Sequence, residues 1–410
     1  MKVIFLTQYF PPETGAPQNR LFATAKALQE GGAEVTVLTG MPNYPEMRVQ
    51  EAYRGKLFVR ERMDGLQVLR AWLLVSPKRS ILWRLGNYFS FVFTAFWVGT
   101  FKLKRSDVLF VESPPLFLGI TALLLARMKR AKLVFNVSDL WPESAVQLGL
   151  VTNPLLIGLS TRLEMRCYRN SALITGQTKG IVANIKARCP EKEVIWLPNG
   201  VDLDAIRKAE ATEGAMTRLQ IRPGTLVLVY AGILGHAQGL EVIMDAALRL
   251  KDRTDVLFLL IGEGPDRVML QELQAQRGLA NVRFLGRIDR AEVLAILKES
   301  DAVVVPLRRN DLFLGAIPSR VFEALALSKP VLLGVDGEAR DLFIREGEAG
   351  LFFEPENGDA LAEAVRRYAD DRGLVQLHGA NGARYVRSYF DRTAISARLL
   401  EALQRITGRS

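Results

Sequence analysis

Four segments carry side chains whose types and spacing suit an anionic, hydroxyl-rich ligand. In Gly315-Ala-Ile-Pro-Ser-Arg-Val-Phe-Glu-Ala-Leu-Ala, Ser319 reads as a helix N-cap, so that Arg320 begins the helix and Glu323 lies one turn in. A guanidinium at a helix start complements a diphosphate. A carboxylate one turn on can accept from both hydroxyls of a ribose. The alternative for Glu323 is a solvated helix position, which its apolar neighbours Phe322, Ala324 and Leu325 argue against. Gly232-Ile-Leu-Gly235-His-Ala-Gln238-Gly is a strand-to-helix loop but not G-x-G-x-x-G, so dinucleotide binding has weak support. Glu263, at the end of the next strand, is the one feature that suits a nicotinamide enzyme. In Tyr9-Phe-Pro-Pro-Glu-Thr-Gly15-Ala16-Pro-Gln-Asn-Arg20, Gly15 admits close approach of backbone to a ligand, the helix opening at Ala16 favours an anion, and Arg20 adds a fixed positive charge. Otherwise the segment is a proline-stiffened connection. In Asn136-Val-Ser-Asp139-Leu-Trp-Pro-Glu143-Ser, Asp139 and Glu143 follow a strand and suit orienting an acceptor hydroxyl or taking its proton. A helix cap packed on Trp141-Pro142 is the alternative.

These segments need elements to hold them. Lys2–Thr7 and Glu34–Thr39 read as strands around a helix over Gln18–Glu30, closed by Gly31-Gly32. The second half repeats the pattern, with strands at Leu226–Tyr230 and Val256–Ile261 around a helix at Leu240–Leu250. Further strands are expected at Val108–Val111, Leu133–Val137, Ala172–Thr175, Val194–Leu197, Val282–Leu285, Ala302–Pro306 and Pro330–Gly334. Strands alternating with helices of this length predict parallel sheets of βαβ units. The expected fold is α/β: two doubly wound, Rossmann-like domains, 1–200 and 201–410, facing across a cleft lined by loops at the carboxyl ends of the strands. An amphipathic helix over Arg392–Ile406 closes the chain.

Length and composition agree with two globular domains: 410 residues, 49% apolar and 24% charged. Two cysteines, Cys167 and Cys189, exclude a disulfide scaffold and point to a reducing compartment. Two histidines, His236 and His378, are too few for a His-rich metal site. The opening residues lack the long apolar stretch of a signal peptide. The net charge of +10 is uneven: residues 1–200 hold 26 basic and 14 acidic side chains. Between Gly65 and Ser106 there is no Asp or Glu, while Arg70, Lys78, Arg79, Arg84, Lys102, Lys104 and Arg105 are present around the uncharged, aromatic run Leu85–Phe101. Arg127, Lys129, Arg130 and Lys132 form a second cluster. The run is short for a membrane span of about 20 residues. It fits a helix lying in a membrane interface better, with basic residues on anionic headgroups. A buried core helix with a basic rim is the alternative, and no nucleic-acid motif accompanies the charge.

In order and spacing, Tyr9-Phe-Pro-Pro-Glu…Gly-Ala…Arg20, Asp139-Leu-Trp-Pro-Glu-Ser144, Pro198-Asn199-Gly-Val-Asp202, Tyr230-Ala-Gly…Ala-Gln-Gly-Leu240 and Pro318-Ser-Arg…Glu323-Ala-Leu-Ala resemble glycosyltransferase family 4, the retaining enzymes of GT-B fold. Within it the chain is most similar to transferases of bacterial O-antigen, capsule and colanic-acid-type polysaccharides, including fucosamine transferases. The resemblance implies transfer of a sugar, an N-acetylated or deoxy-amino hexose, from a UDP-linked donor to a polyprenyl-diphosphate-linked saccharide. The protein would then be cytoplasmic and peripheral on the inner membrane face, without metal. Carried over, Arg320 and the Gly232–Gly239 loop, with Gly232, Gly235 and Gln238, hold the diphosphate, Arg287 lies near the base, and Glu323 binds the ribose. Gly15 approaches the transferring phosphate or the acceptor, and Asn199, Ala16, Arg20 and Ser319 join the donor side. Asp139, with Glu143, faces the reaction centre. Asp202-Leu-Asp204 matches D-x-D but falls at the domain boundary and reads as incidental. The chain departs from the family at Gly315, where a second carboxylate is usual, and at Ile233 and Gln238, where Arg and Lys are usual. No histidine falls in the first half. More of the diphosphate charge therefore falls on Arg320. A UDP-sugar 2-epimerase and a non-catalytic UDP-sugar-binding partner share the fold and remain as alternatives.

Overall fold

The computed structural model describes residues 1–13, 15–44, 46–78, 81–147, 151–209 and 214–408. They form two compact units, Met1–Asn199 with Arg392–Ser410, and Gly200–Asp391. Each is built on a sheet whose two faces are covered by helices.

In the first unit the strands are β1 (Lys2–Leu6), β2 (Glu34–Gly40), β3 (Phe58–Met63), β4 (Leu66–Ala71), β5 (Val108–Ser113), β6 (Lys132–Val137), β7 (Leu173–Gly176) and β8 (Val194–Trp196). Their order is β3-β4-β2-β1-β5-β6-β7-β8, parallel except for β3, which pairs antiparallel with β4. The strand pleat sorts the core. Ile4 and Leu6 face one layer with Phe91, Ala95, Leu118 and Ala122. The last four come from the helices Ile81–Lys102 and Leu118–Lys129. Val3 and Phe5 face the opposite layer with Leu21, Ala25 and Leu28 of the helix Ala16–Glu30. We label these helices α1 (Ala16–Glu30), α2 (Ile81–Lys102) and α3 (Leu118–Lys129). Pro17 sits in the first turn of α1, where its missing N–H costs nothing.

Two features differ from the sequence expectation. The hairpin β3–β4 was not anticipated. Asp64 and Gly65 both take positive φ, 46° and 86°, the geometry a two-residue hairpin turn requires. Its outer strand, Phe-Val-Arg-Glu-Arg-Met, carries charges as edge strands commonly do. The last helix, Arg392–Thr407, was expected with the second domain. Instead it returns to the first unit, where Ile395, Leu399, Ala402 and Leu403 complete the layer around α1. Its apolar stripe predicted burial but not against which sheet.

In the second unit all six strands are parallel: β9 (Leu226–Ala231), β10 (Val256–Ile261), β11 (Val282–Gly286), β12 (Ala302–Pro306), β13 (Val331–Gly334) and β14 (Gly350–Phe352), in the order β11-β10-β9-β12-β13-β14. Strand β14 was not anticipated. In each sheet the winding reverses once, between β1 and β5 in the first and between β9 and β12 in the second. Ligands of doubly wound sheets bind outside the carboxyl ends of the strands at such points. The Tyr9–Arg20 segment follows β1. The Gly232–Gly239 loop follows β9, and the connection after β12 leads into the helix Arg320–Ala326.

Candidate active site

The second unit gathers several of the expected residues. A cavity of about 490 Å³ is lined by Gly232, Glu263, Arg287, Arg290 and Glu323 among others. Arg320 stands beside it, its guanidinium 4.5 Å from the centroid of the Tyr230 ring. A side chain at Gly232 would meet that guanidinium and the Tyr230 hydroxyl at 3.3 Å. Tyr230 donates its hydroxyl to the Ile233 carbonyl at 2.6 Å, which fixes the ring under the arginine. Gly262, at φ 136°, faces the Gly232 carbonyl with no room for a Cβ. The β9 loop and the end of β10 can therefore pack main chain to main chain. Nη1 of Arg320 is buried and has no hydrogen-bond partner. A buried, unpaired cationic donor is costly, and this one is at the switch point of the sheet.

The other donor-side residues divide. Glu323 has a side chain about one-third exposed and accepts from Arg290 Nη2 at 2.7 Å, so it enters the cavity already paired. Arg290 was missed in the sequence. It lies three residues past Arg287, at the start of the next helix, Arg290–Glu299. Arg287 is exposed at the cavity. Glu263 lines the same cavity, and its bond to Arg267 holds its carboxyl below the usual range. Gly235 is buried, and a Cβ there would meet Gln238 Oε1 at 3.1 Å. Gln238 thus folds back on its own loop. Arg308 pins that loop, donating to the carbonyls of Ala237 and His236 at 3.0 and 2.6 Å. Ser319 is not an N-cap in the expected sense. It already has helical angles, φ −60° and ψ −25°, and makes no side-chain cap bond. A capping side chain needs an extended backbone at that residue to reach back to the N–H groups. Asn199 ends the first unit, its Oδ1 buried without a partner.

In the first unit, Arg20 is not a free positive charge. Its Nη2 meets Glu112 Oε1 at 2.5 Å, with side-chain exposures of 12% and 6%. It also donates to Ser138 Oγ at 2.8 Å and to Gln177 Oε1 at 3.1 Å. Asn136 donates to the second oxygen of Glu112, and Thr175 donates to Asn136 Oδ1 at 2.5 Å. The result is a neutral polar network across the carboxyl ends of β5, β6 and β7. Glu112, ninety-two residues from Arg20 in the chain, carried no local signal. Gly15 is extended at φ 170°, and the space a Cβ would fill there is taken by Gln18 Oε1 rather than left open. Ala16 is the first residue of α1. Asp139 follows β6 and accepts from Ser144 Oγ. Burial pushes its carboxyl up, with the nearby Glu143 charge adding to the effect and the Ser144 bond opposing it. Glu143 is exposed in the first turn of the helix Glu143–Gln147.

The basic stretch also resolves into different parts. Arg70 is wholly buried and pairs with Glu61 at 2.6 Å. Lys129 donates to the Thr100 and Leu103 carbonyls at 2.7 Å, closing the carboxyl end of α2. Burial lowers its pKa. Neither is free to meet a headgroup. Arg79 lies outside the described residues. Lys78, Arg84, Lys102, Lys104 and Arg105 are exposed. The face of α2 that carries Phe91 and Ala95 is core, whereas Phe89, Phe93, Trp97 and Phe101, four residues apart, are exposed. Ile120, Leu124 and Met128 repeat that spacing on the exposed face of α3, which binds α2 through Thr121 Oγ1 and the Val92 carbonyl at 2.7 Å.

With this geometry in hand, the comparisons with known proteins are consistent. Residues 15–200 match the family described as Glycosyl transferase 4-like domain, and residues 213–384 match Glycosyl transferases group 1. The chain belongs to the glycosyltransferases, in GT-B fold. It is 25% identical over 376 residues to the putative colanic acid biosynthesis glycosyl transferase WcaI of Escherichia coli (strain K12), covering 90% of this chain and 92% of that one. Its fold is similar to that of sucrose-phosphate synthase from Thermosynechococcus elongatus, with TM-score 0.73, 18% identity and 100% of each chain covered. It is also similar to Anabaena Alr3699/HepE in complex with UDP, with TM-score 0.69, 16% identity and 99% and 100% covered.

Two outcomes follow from the first-unit geometry. Arg20→Ala leaves the Glu112 carboxylate buried without its cation, and chemical denaturation should show a loss of about 3–5 kcal/mol. Asp139 is an acid whose pKa folding raises, so its ionisation works against the folded state and stability falls as pH rises through its pKa. Asp139→Asn should therefore raise the melting temperature at neutral pH, and the gain should shrink as pH falls through the carboxylate range.

Proposed function

We propose that this protein transfers a sugar from a UDP-sugar to a lipid-diphosphate-linked saccharide, with retained anomeric configuration, in the assembly of a bacterial surface polysaccharide. The observation that carries the reading is the buried, unpaired Nη1 of Arg320 beside the Glu323–Arg287 cavity. The diphosphate would supply the missing acceptor there, with the ribose toward Glu323 and the base toward Arg287. The WcaI relative is named for colanic acid biosynthesis, and the HepE structure carries UDP. These support a nucleotide-sugar donor and a polysaccharide product. The motif resemblance to fucosamine transferases favours an N-acetylated or deoxy-amino hexose.

In this reading the bond from the anomeric carbon to the diphosphate oxygen breaks while the acceptor oxygen bonds on the same face. The acceptor proton passes to the departing phosphate. Arg320 stabilises the charge growing on that phosphate, and the reading calls for no divalent metal. Asp139 serves as the carboxylate nearest the acceptor hydroxyl, with Glu143 behind it. Fixed electrostatic groups of this kind typically contribute about 10²–10³ in rate.

The acceptor's lipid gives the apolar stripes of α2 and α3 a role. No helix among the described residues is long and apolar enough to cross a membrane. An exposed aromatic stripe edged by Lys78, Arg84, Lys102, Lys104 and Arg105 suits an anionic bilayer surface. We place the protein on the inner face of the cell membrane on this basis.

A screen of UDP-sugars against undecaprenyl-diphosphate-linked saccharides, read by mass spectrometry, tests the reaction. Arg320→Ala should lower turnover by about 10²–10³; near-normal turnover sinks the assignment. NMR of a UDP-sugar incubated without acceptor separates an epimerase, which would convert it. Replacing Phe93, Trp97 and Phe101 by Ser should abolish sedimentation with phosphatidylglycerol vesicles, and retained binding removes α2 from the membrane contact.

A further inference from the structure

The second unit holds another cavity, at the opposite edge of its sheet from the one that Arg287 and Glu323 line. Its volume is about 330 Å³, and it opens where β9, β10 and β11 begin. Val256 and Leu257, the first residues of β10, line it, while Ile261 at the far end of that strand lines the other cavity. Five steps along a strand put roughly 17 Å between them. Small-ligand pockets run from about 300 Å³ upward. Four cations line this one: Arg222, Lys251, Arg253 and Arg283. Among the described residues its lining includes no Asp or Glu. That is a local excess, since residues 201–410 hold 28 basic and 30 acidic side chains.

Arg253 is neutralised by Asp255 at 2.8 Å and Asp370 at 2.9 Å. The other three are exposed, and among the described residues their partners are main-chain carbonyls rather than carboxylates. Arg222 Nη2 donates to the Thr254 carbonyl at 3.2 Å, Lys251 Nζ to the Arg277 carbonyl at 3.1 Å, and Arg283 Nη1 to the Leu219 carbonyl at 2.5 Å. Each side chain thus ties its own segment of the rim to another segment and is held there. The ties alone do not call for cations, because a neutral amide can donate one N–H to a carbonyl. A lysine has three donors and an arginine five, so most of them stay unused. The carboxyl ends of the helices Glu241–Arg249 and Arg267–Arg277 also reach this edge. At about half a negative charge each, they offset about one of the three positive charges and leave about two. A phosphate monoester brings about −1.5 to −2 at neutral pH, and its oxygens take charge-assisted bonds from the unused N–H groups. Ile221 and Leu257 add an apolar wall for an organic body beside the phosphate.

We propose that this cavity binds the phosphate group of a small phosphorylated metabolite through Arg222, Lys251 and Arg283. It is a second anion site, separate from the cavity beside Arg320, and it does not depend on the transferase reading. Ligands of doubly wound sheets ordinarily sit at the carboxyl ends of the strands, and this site is at the amino ends. A phosphate held by all three cations joins segments of the rim that the fold otherwise links only through single hydrogen bonds to carbonyls.

Calorimetric titration of the full-length protein with inorganic phosphate and with glucose 6-phosphate tests it, with glucose as the neutral control. Glucose 6-phosphate should bind the wild type, and glucose should not. Lys251→Gln and Arg283→Gln each remove one charge at an exposed position and should weaken binding about tenfold. Arg384→Gln removes an exposed cation outside the cavity and should leave the affinity within about twofold. Arg320→Ala should do the same, because the anion is not at the other cavity. Unchanged melting temperatures report that the variants are folded. The proposal is overturned if neither phosphate binds the wild type, if both cavity variants bind as the wild type does, or if Arg384→Gln or Arg320→Ala loses as much as they do. It is also overturned if the two cavity variants lose only sedimentation with phosphatidylglycerol vesicles, which assigns the cations to a lipid headgroup.

Discussion

One guanidinium sets the requirements for the second unit. Arg320 is held over the Tyr230 ring with Nη1 out of solvent and unpaired. The cation–π contact offsets part of the desolvation, but it does not supply a hydrogen-bond acceptor. Holding the group there depends on several otherwise unrelated features. Tyr230 must sit next to last in β9 with its hydroxyl tied back to the Ile233 carbonyl. Gly232 must carry no side chain. Gly262 must let the β9 loop and the end of β10 touch. In the proposed reaction that group is pre-organised for an anion, which is where transition-state electrostatics gain most.

The first unit handles its charges the opposite way. The arginine that the sequence marks most clearly, Arg20, is neutralised by Glu112 and enclosed by Asn136, Ser138 and Gln177. It organises the carboxyl ends of β5, β6 and β7 instead of attracting an anion. The two sheets share a winding pattern, but the arginine after β1 is paired by a buried carboxylate, whereas Nη1 of the arginine that follows β12 has no partner.

Much of this was legible in the sequence because it is local. The alternation of Val3 and Phe5 with Ile4 and Leu6, the glycines after β9, and the Arg320–Glu323 spacing each follow from neighbours in the chain. What was missed depends on distant partners. Nothing near Arg20 announces Glu112, and nothing in Arg392–Thr407 says that its apolar stripe belongs on the first sheet. Arg70 and Lys129 looked like membrane-facing cations, yet the fold uses one to tie two loops together and the other to close α2. The β3–β4 hairpin is a different case. Its Asp64-Gly65 turn was readable, but the charged edge strand lacks the apolar alternation by which strands are usually found.

The central claim is that Arg320 holds the diphosphate of a nucleotide donor. Calorimetric titration of the wild type and Arg320→Ala with both UDP and uridine tests it most directly, since the two ligands differ only in the diphosphate. The account predicts that the substitution weakens UDP by about 10–100-fold, the range for a lost charge-assisted hydrogen bond, and leaves uridine unchanged. Equal losses for the two ligands, or no loss for UDP, would contradict it.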